Sequence, residues 1–369
     1  MDTSLPQSGP QPQVTSEPRA ADVLTIHIHE QCTIVGKHLY PLAKITSLPS
    51  QGHCSSTFLV SSPASSVSEA ASQFILQFRR SKFALDIKTT SAARLAYGPY
   101  APNTRELLDF AGTSDLRVYE MDLIGGVTYK SVAPAHVVLS EAEFERQLRL
   151  VEGFANFIAR GWQVDYKATA HDTGKVGAVV LQKLQLLADN LPRESLRAAA
   201  RETVSAFDSL ESLPRVLNHG DIVPSNIMVD PVTLQLTGLV DWAEAESLPF
   251  GTCLYGLEHL LGIMDAGIDG RPTFKYYSRA SELRLHFWQN LRVFIPALAT
   301  PSLGDSVLLA KQVGTLLWHG FAWDDGAIDR VVNERDDVSD IAHLEAFLEA
   351  CNNDARCFFK PHRKDSVVG

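Results

Sequence analysis

Positive charge is in short supply: 33 Lys and Arg face 43 Asp and Glu, a formal net charge of −10 over 369 residues. Binding nucleic acid or an anionic membrane in general needs a cationic surface, so neither is expected as a partner. Long apolar runs are missing too. A membrane-crossing helix takes roughly 18 such residues, whereas the longest run here, 293–299, is interrupted by Pro296. The first 22 residues lack the basic start and apolar middle of a leader peptide; their polar, Pro-, Ser- and Gln-rich character predicts a disordered tail. The five cysteines form no close CxxC pair, which predicts reduced thiols and a cytoplasmic setting. No internal repeat and no GxSxG nucleophile elbow occur. Gly174-Lys175-Val176 lacks the upstream glycine and following hydroxyl residue of a P-loop. His27, His29 and Glu30 alternate as on a strand and have no further ligands in metal spacing. What remains is 45% hydrophobic and 21% charged, the composition of a globular chain with one large or two modest domains.

Short β-rich stretches at 33–35, 57–61, 74–79 and 116–121 predict strands of one sheet, with a single helix over 85–97 stopped by Gly98-Pro99. After Gly125-Gly126 the pattern turns helical. Ser140 with Glu143 forms a capping box, and Phe144, Leu148, Val151, Ala155 and Ile158 follow at helical spacing until Gly161. Further helices are expected over 177–190 and 194–210. A hairpin follows with strands at 227–229 and 236–240 around an Asp-Pro-Val-Thr turn, and the chain is again mostly helical to about residue 350. The expected division is a tail over 1–22, a small β-rich lobe over 23–125, a larger helical lobe over 126–350 and a tail over 351–369.

The densest polar signal is His219-Gly220-Asp221-Ile222-Val223-Pro224-Ser225-Asn226, followed by Val240-Asp241-Trp242. Symmetric pairing of the hairpin predicts Asn226 and Asp241 opposite one another, with Cβ atoms roughly 5 Å apart. An amide oxygen and a carboxylate are hard ligands that suit Mg²⁺, which takes its remaining ligands from water and substrate phosphates. Asp221, five residues before Asn226 on a loop, is left to accept a hydroxyl proton. A loop whose Asp and Asn only satisfy turn hydrogen bonds is the plainer alternative.

These residues are similar to the HxDxxxxN signature of kinase-like phosphotransferases, and the HGDxxxxN form resembles the aminoglycoside/choline phosphotransferase family. The sequence around Asp241 and the IDRVV stretch look like a fungal subfamily of it. The resemblance implies an α+β, bilobal, protein-kinase-like fold. It makes Asp221 the catalytic base, His219 the brace of its loop, and Asn226 and Asp241 ligands of Mg²⁺. ATP or GTP would be the co-substrate, and a small-molecule hydroxyl the acceptor. Further matches follow by position. Gly52, Ser55 and Ser56 stand in the loop that covers the phosphates, where an ordinary Ser-rich turn would look the same. The third strand has no lysine, so Arg79 is the expected phosphate partner, and Asp86 either pairs with it or caps the next helix. Asp122 and Leu123 stand where backbone groups receive the adenine ring, a stretch that also reads as a plain edge strand. Glu244, Glu246, Asp265 and Asp269 would favour a cationic acceptor, unless they are only a solvated face. The aromatic cluster from Trp318 to Trp323 would close the acceptor site or simply pack a terminal helix. The thin set of N-lobe motifs leaves a second reading, a weak or inactive kinase-like nucleotide binder. The sequence does not speak to oligomeric state.

Overall fold

The computed structural model describes residues 20–49, 51–52, 54–63, 72–107, 115–164, 176, 179–267, 270–324 and 329–358, with the backbone alone over 20–29 and 352–358. Helix α1 (Ala20–Leu39) comes first, and Cys32, Val35 and Leu39 lie on one helical face against a sheet. That sheet comprises β1 (Lys44–Ser47), β2 (Ser55–Ser62), β3 (Ser72–Arg80) and, after helix α2 (Ile87–Tyr97), β4 (Thr104–Glu106) and β5 (Leu116–Asp122). Its order is β1-β2-β3-β5-β4, and every pair is antiparallel. Alternation sorts the side chains. Phe58, Val60, Leu76, Phe78 and Val118 pack toward Cys32, while the in-register row Thr57, Gln77 and Tyr119, and Arg79 two residues beyond Gln77, take the opposite face.

The expected strand at 33–35 is corrected: Thr33, Ile34 and Val35 belong to α1. Their β-branched character is outweighed by the apolar face that the surrounding helix buries on the sheet. His27, His29 and Glu30 are likewise helical. Of the expected N-terminal tail, residues 1–19 lie outside the described residues, and the helix begins at Ala20.

Beyond the sheet come β6 (Val127–Thr128), the short α3 (Tyr129–Val132) and α4 (Glu141–Trp162). Ser140 and Glu143 close the expected capping box at the start of α4, and Phe144, Leu150, Phe154, Phe157 and Ile158 form its buried stripe. Helices α5 (Val180–Asn190) and α6 (Glu194–Ser205) lead to β7 (Arg215–Asn218), then to the hairpin of β8 (Ile227–Val229) and β9 (Leu236–Leu239), and to β10 (Glu246–Pro249), which pairs with β7. The remainder is α7 (Tyr255–His259), a β11 (Gly262–Asp265) and β12 (Thr273–Tyr276) hairpin not anticipated from sequence, then α8 (Ala280–Phe294), α9 (Pro301–Gly320) and α10 (Val338–Phe358). Helix α10 carries order seven residues past the expected start of the C-terminal tail at 351. One core cluster runs through this helical region, and a smaller one lies between α1 and the sheet. The α+β architecture expected from sequence is the one observed. No helix among the described residues is long and apolar enough to cross a membrane, and none of Cys32, Cys54, Cys253 and Cys351 forms a disulfide.

Candidate active site

Strand β7 leads directly into His219, whose imidazole is buried against Trp242 with ring centroids 4.5 Å apart. Its Nε2–H donates to the Val240 carbonyl (3.0 Å), and its Nδ1 accepts the Asp221 backbone N–H (3.2 Å). Burial holds the imidazole down at about 4, against a weaker upward pull from Asp241 and the Val240 carbonyl, so the ring is a neutral brace. Gly220 between them has φ +76°, and a Cβ there would stand 2.1 Å from the Glu244 carbonyl oxygen. Only glycine fits this turn.

The loop then presents Asp221. Its Oδ2 and its carbonyl both accept from the Asn226 amide, at 2.7 and 3.1 Å. Burial pushes the carboxyl up to about 7, with the Asp241 and Glu244 charges adding to the rise and the Asn226 amide opposing it. Tyr255, on α7, accepts the Ile222 N–H with its hydroxyl (3.1 Å) and so pins the far side of the loop.

The hairpin register differs from the symmetric expectation by one residue. Ile227 faces Leu239, and Val240 donates to the Asn226 carbonyl (2.9 Å), so Asn226 is opposite Val240 instead of Asp241. The turn, tied by three hydrogen bonds to Asp230 Oδ1 and closed by Asp230 N–H on the Gln235 carbonyl, would alone set Asn226 opposite Leu239, two residues short of Asp241, and the register shift at Met228/Val229 recovers one of those two residues. Asp241 leaves the strand in the left-handed region, φ 62°, and carries its carboxylate to the cleft. There Arg79 Nη1 reaches its Oδ1 across 3.1 Å and 162 residues of sequence. Arg79 is buried, Asp241 is 39% exposed, and Gln77 and Thr57 extend the chain of contacts across the sheet.

The other expected nucleotide contacts divide. Gly52 lines the cleft, and Ser55 shares the sheet row of Arg79. Ser56 is turned to the opposite face, where its hydroxyl bonds the Cys32 thiol, so a phosphate contact from it is corrected. Asp86 caps α2, accepting from Lys88 N–H (2.9 Å) and the Thr89 hydroxyl (3.0 Å). The capping alternative therefore describes it, and the acid that Arg79 meets is Asp241. Asp122 is also occupied: its N–H donates to the Asn103 carbonyl, its carboxylate accepts the Asn103 N–H, and Arg94 stands 3.7 Å away. Leu123, next along, is 39% exposed.

Asp221, Asp241, Arg79 and Gly52 share one cleft of about 340 Å³ with Glu244, Glu246 and an apolar wall. Asp265 pairs instead with Lys275 on the β11–β12 hairpin, away from the cleft lining, and Asp269 lies outside the described residues. Among the described residues no three His, Cys, Asp or Glu side chains converge into a self-sufficient metal site. Asp241 nonetheless presents a carboxylate to the open cleft, and Asn226, whose amide nitrogen is held by Asp221, carries a second hard oxygen; a carboxylate and an amide oxygen suit a magnesium ion that takes its other ligands from water and phosphates.

Residues 92–250 match the phosphotransferase enzyme family, a span that contains His219, Asp221, Asn226 and Asp241. That part of the chain is similar to the family. No curated protein sequence matches the chain. Among solved structures, a GDP complex of an aminoglycoside 2′-phosphotransferase aligns with a TM-score of 0.50 and 14% identity, over 89% of this chain and 97% of that one. A macrolide 2′-phosphotransferase from Brachybacterium faecium aligns with a TM-score of 0.48 and 18% identity, over 87% and 97%. An ethanolamine kinase from Plasmodium vivax aligns with a TM-score of 0.48 and 12% identity, over 90% and 89%. The alignment with the aminoglycoside 2′-phosphotransferase supports the kinase-like fold, and nothing among these matches bears on the fungal subfamily.

Tyr255 and Trp242 are the supporting residues that sequence reasoning missed as parts of the site. Trp242 directly follows Asp241, so its place beside the loop was within reach of the motif. Tyr255 comes from a separate helix and left no local signal.

Proposed function

We propose that this protein is a Mg²⁺-dependent phosphotransferase that moves the γ-phosphoryl group of ATP or GTP to a hydroxyl of a small molecule. The observation that carries the reading is the Asp221 carboxylate, held by the Asn226 amide at 2.7 Å in the same cleft as Asp241 and Arg79. A proton acceptor and a hard-oxygen cation site are thereby adjacent. Magnesium, when bound, would supply positive charge that offsets the negative charge developing on the phosphates. Asn226 and Asp241 would hold it, and Arg79 would exchange Asp241 for a phosphate oxygen. Asp221 orients the acceptor hydroxyl; as its oxygen bonds to phosphorus and the bond to the leaving diphosphate breaks, the hydroxyl proton passes to Asp221. His219 takes no part in proton transfer and fixes the loop.

The aligned aminoglycoside 2′-phosphotransferase, a GDP complex, supports the nucleotide part of this reading. A cytoplasmic setting fits the lack of disulfides among the described cysteines. One observation favours the second reading, a weakly active nucleotide binder: helix α2 contains no acidic residue to engage Arg79. Replacing Asp221 by Asn separates the two. Loss of turnover with nucleotide binding retained supports the enzyme; equal, trace turnover in both proteins supports the binder.

A further inference from the structure

The acceptor side of the cleft is built unlike a receptor for a polycation. Its wall consists of Leu248, Cys253, Tyr255, Leu317, Trp318 and Phe321, with Trp323 at the rim, 45% exposed. Two aromatic members are ordered against each other: the rings of Tyr255 and Trp318 stack at 5.4 Å and 9°. Gly314 makes this approach possible, because a Cβ there would stand 1.7 Å from the Thr252 carbonyl oxygen. Helix α9 therefore seats directly on the segment before Tyr255 and brings Leu317 and Trp318, about one turn later, over the pocket. Amid this surface, the charged groups on the acceptor side among the described residues are Glu244 and Glu246. Glu246 is only 9% exposed, sits on β10 opposite Asn218, and accepts the Val176 N–H at 3.3 Å.

An aminated polyol set against such a wall would leave most of its hydroxyl and ammonium groups desolvated without partners. A flat apolar ring loses nothing there and gains stacking area. We propose that the acceptor is a predominantly apolar, aromatic or fused-ring alcohol bearing a single amine, with the ring against Tyr255 and Trp318 and the amine directed to Glu246. The alcohol end then faces Asp221, which lines the same cleft. Trp318 and Glu246 are the specificity-determining residues. This assignment rests on the phosphotransferase reading above.

The test is binding, so that it is independent of turnover. The full chain is first titrated calorimetrically with AMP-PNP and Mg²⁺; failure at this stage contradicts the phosphotransferase reading itself. The nucleotide-loaded protein is then titrated with 2-naphthalenemethanol, with its 6-aminomethyl derivative and with kanamycin, followed by quenching of tryptophan fluorescence and by calorimetry. The aminomethyl compound should bind most tightly and lose about tenfold in affinity both on removal of the amine and in Glu246→Gln, while Trp318→Ala should weaken both naphthyl compounds by a similar factor. Kanamycin should bind weakest. Normal nucleotide binding in the variants shows that they are folded. Kanamycin binding at least as tight as the naphthyl compounds, no naphthyl binding to nucleotide-loaded protein, or unchanged affinities in both variants would each overturn the proposal.

Discussion

Two charge clusters of this protein are built on opposite terms. Glu258 on α7 is fully buried and is bonded through Oε1 to Lys311 Nζ and through Oε2 to Arg284 Nη2, both at 2.5 Å, with both cations buried as well. Arg79 is equally buried, but its partner Asp241 is 39% exposed on the cleft and the contact is a single one at 3.1 Å. The first cluster joins three helices, two of which carry Tyr255 and Trp318. The second joins the sheet to the end of the β8–β9 hairpin and leaves one carboxylate edge open to the cleft. A closed set of charges fixes the Tyr255–Trp318 wall of the cleft, whereas an open pair can trade partners with an incoming cation and its phosphates.

The comparison breaks most severely at Glu258. Glu258→Ala leaves Lys311 and Arg284 buried without their acid and should cost about 3–5 kcal/mol of stability. Thermal denaturation should show a large drop in Tm, much reduced when Lys311→Met accompanies it. At the catalytic end, Asp221→Asn should lower kcat by about 10²- to 10⁴-fold. Its Tm and its Mg²⁺-nucleotide affinity, read by calorimetry, should stay close to those of the parent.

Acid sharpens the contrast further. Burial opposes ionisation of Glu258, but Arg284 and Lys311 win and hold it down at about 2. Its contribution is therefore present above the usual glutamate range, near pH 4.5, and is lost only as pH falls from there toward 2. Nearby, His259 and His319 are held well below 6.5, first by burial, then His259 by His319 and His343 against a weaker upward pull from Glu258, and His319 by His343, with Asp340 3.6 Å from His319. They stay neutral in the fold while the unfolded chain takes up protons. Stability should therefore begin to fall below about pH 6.5, each such group contributing up to about 1.4 kcal/mol per pH unit. A pH series of Tm values should show this limb, and His319→Phe should flatten it. The smallest effect is expected at Arg79: with its partner well exposed, Arg79→Gln should cost about 0–1 kcal/mol in the absence of nucleotide, and its main effect should be weaker nucleotide binding.

Legibility in the sequence follows how local each device is. The hairpin turn and the Ser140 capping box are written in four adjacent residues and were readable, as was the order of Asp221, Asn226 and Asp241. The one-residue register slip was not, because it is the net of a turn closed between Asp230 and Gln235 and a bulge at Met228/Val229 that has no fixed signature. Thr33 to Val35 misled because a β-branched triplet speaks for a strand, while the deciding interaction, burial of Cys32, Val35 and Leu39 on the sheet, is tertiary. The Arg79–Asp241 pair spans 162 residues, and the Tyr255–Trp318 wall needs two helices brought together by Gly314. Neither can be found by spacing.

The central claim is that Asp241 exchanges Arg79 for a metal-bound nucleotide. Calorimetric titration of the parent and of Asp241→Ala with ATP and with GTP, each with and without Mg²⁺, tests it most directly. The account predicts Mg²⁺-dependent binding of at least one nucleotide in the parent and its loss in the variant. Binding that is indifferent to Mg²⁺, or retained undiminished in Asp241→Ala, would contradict it.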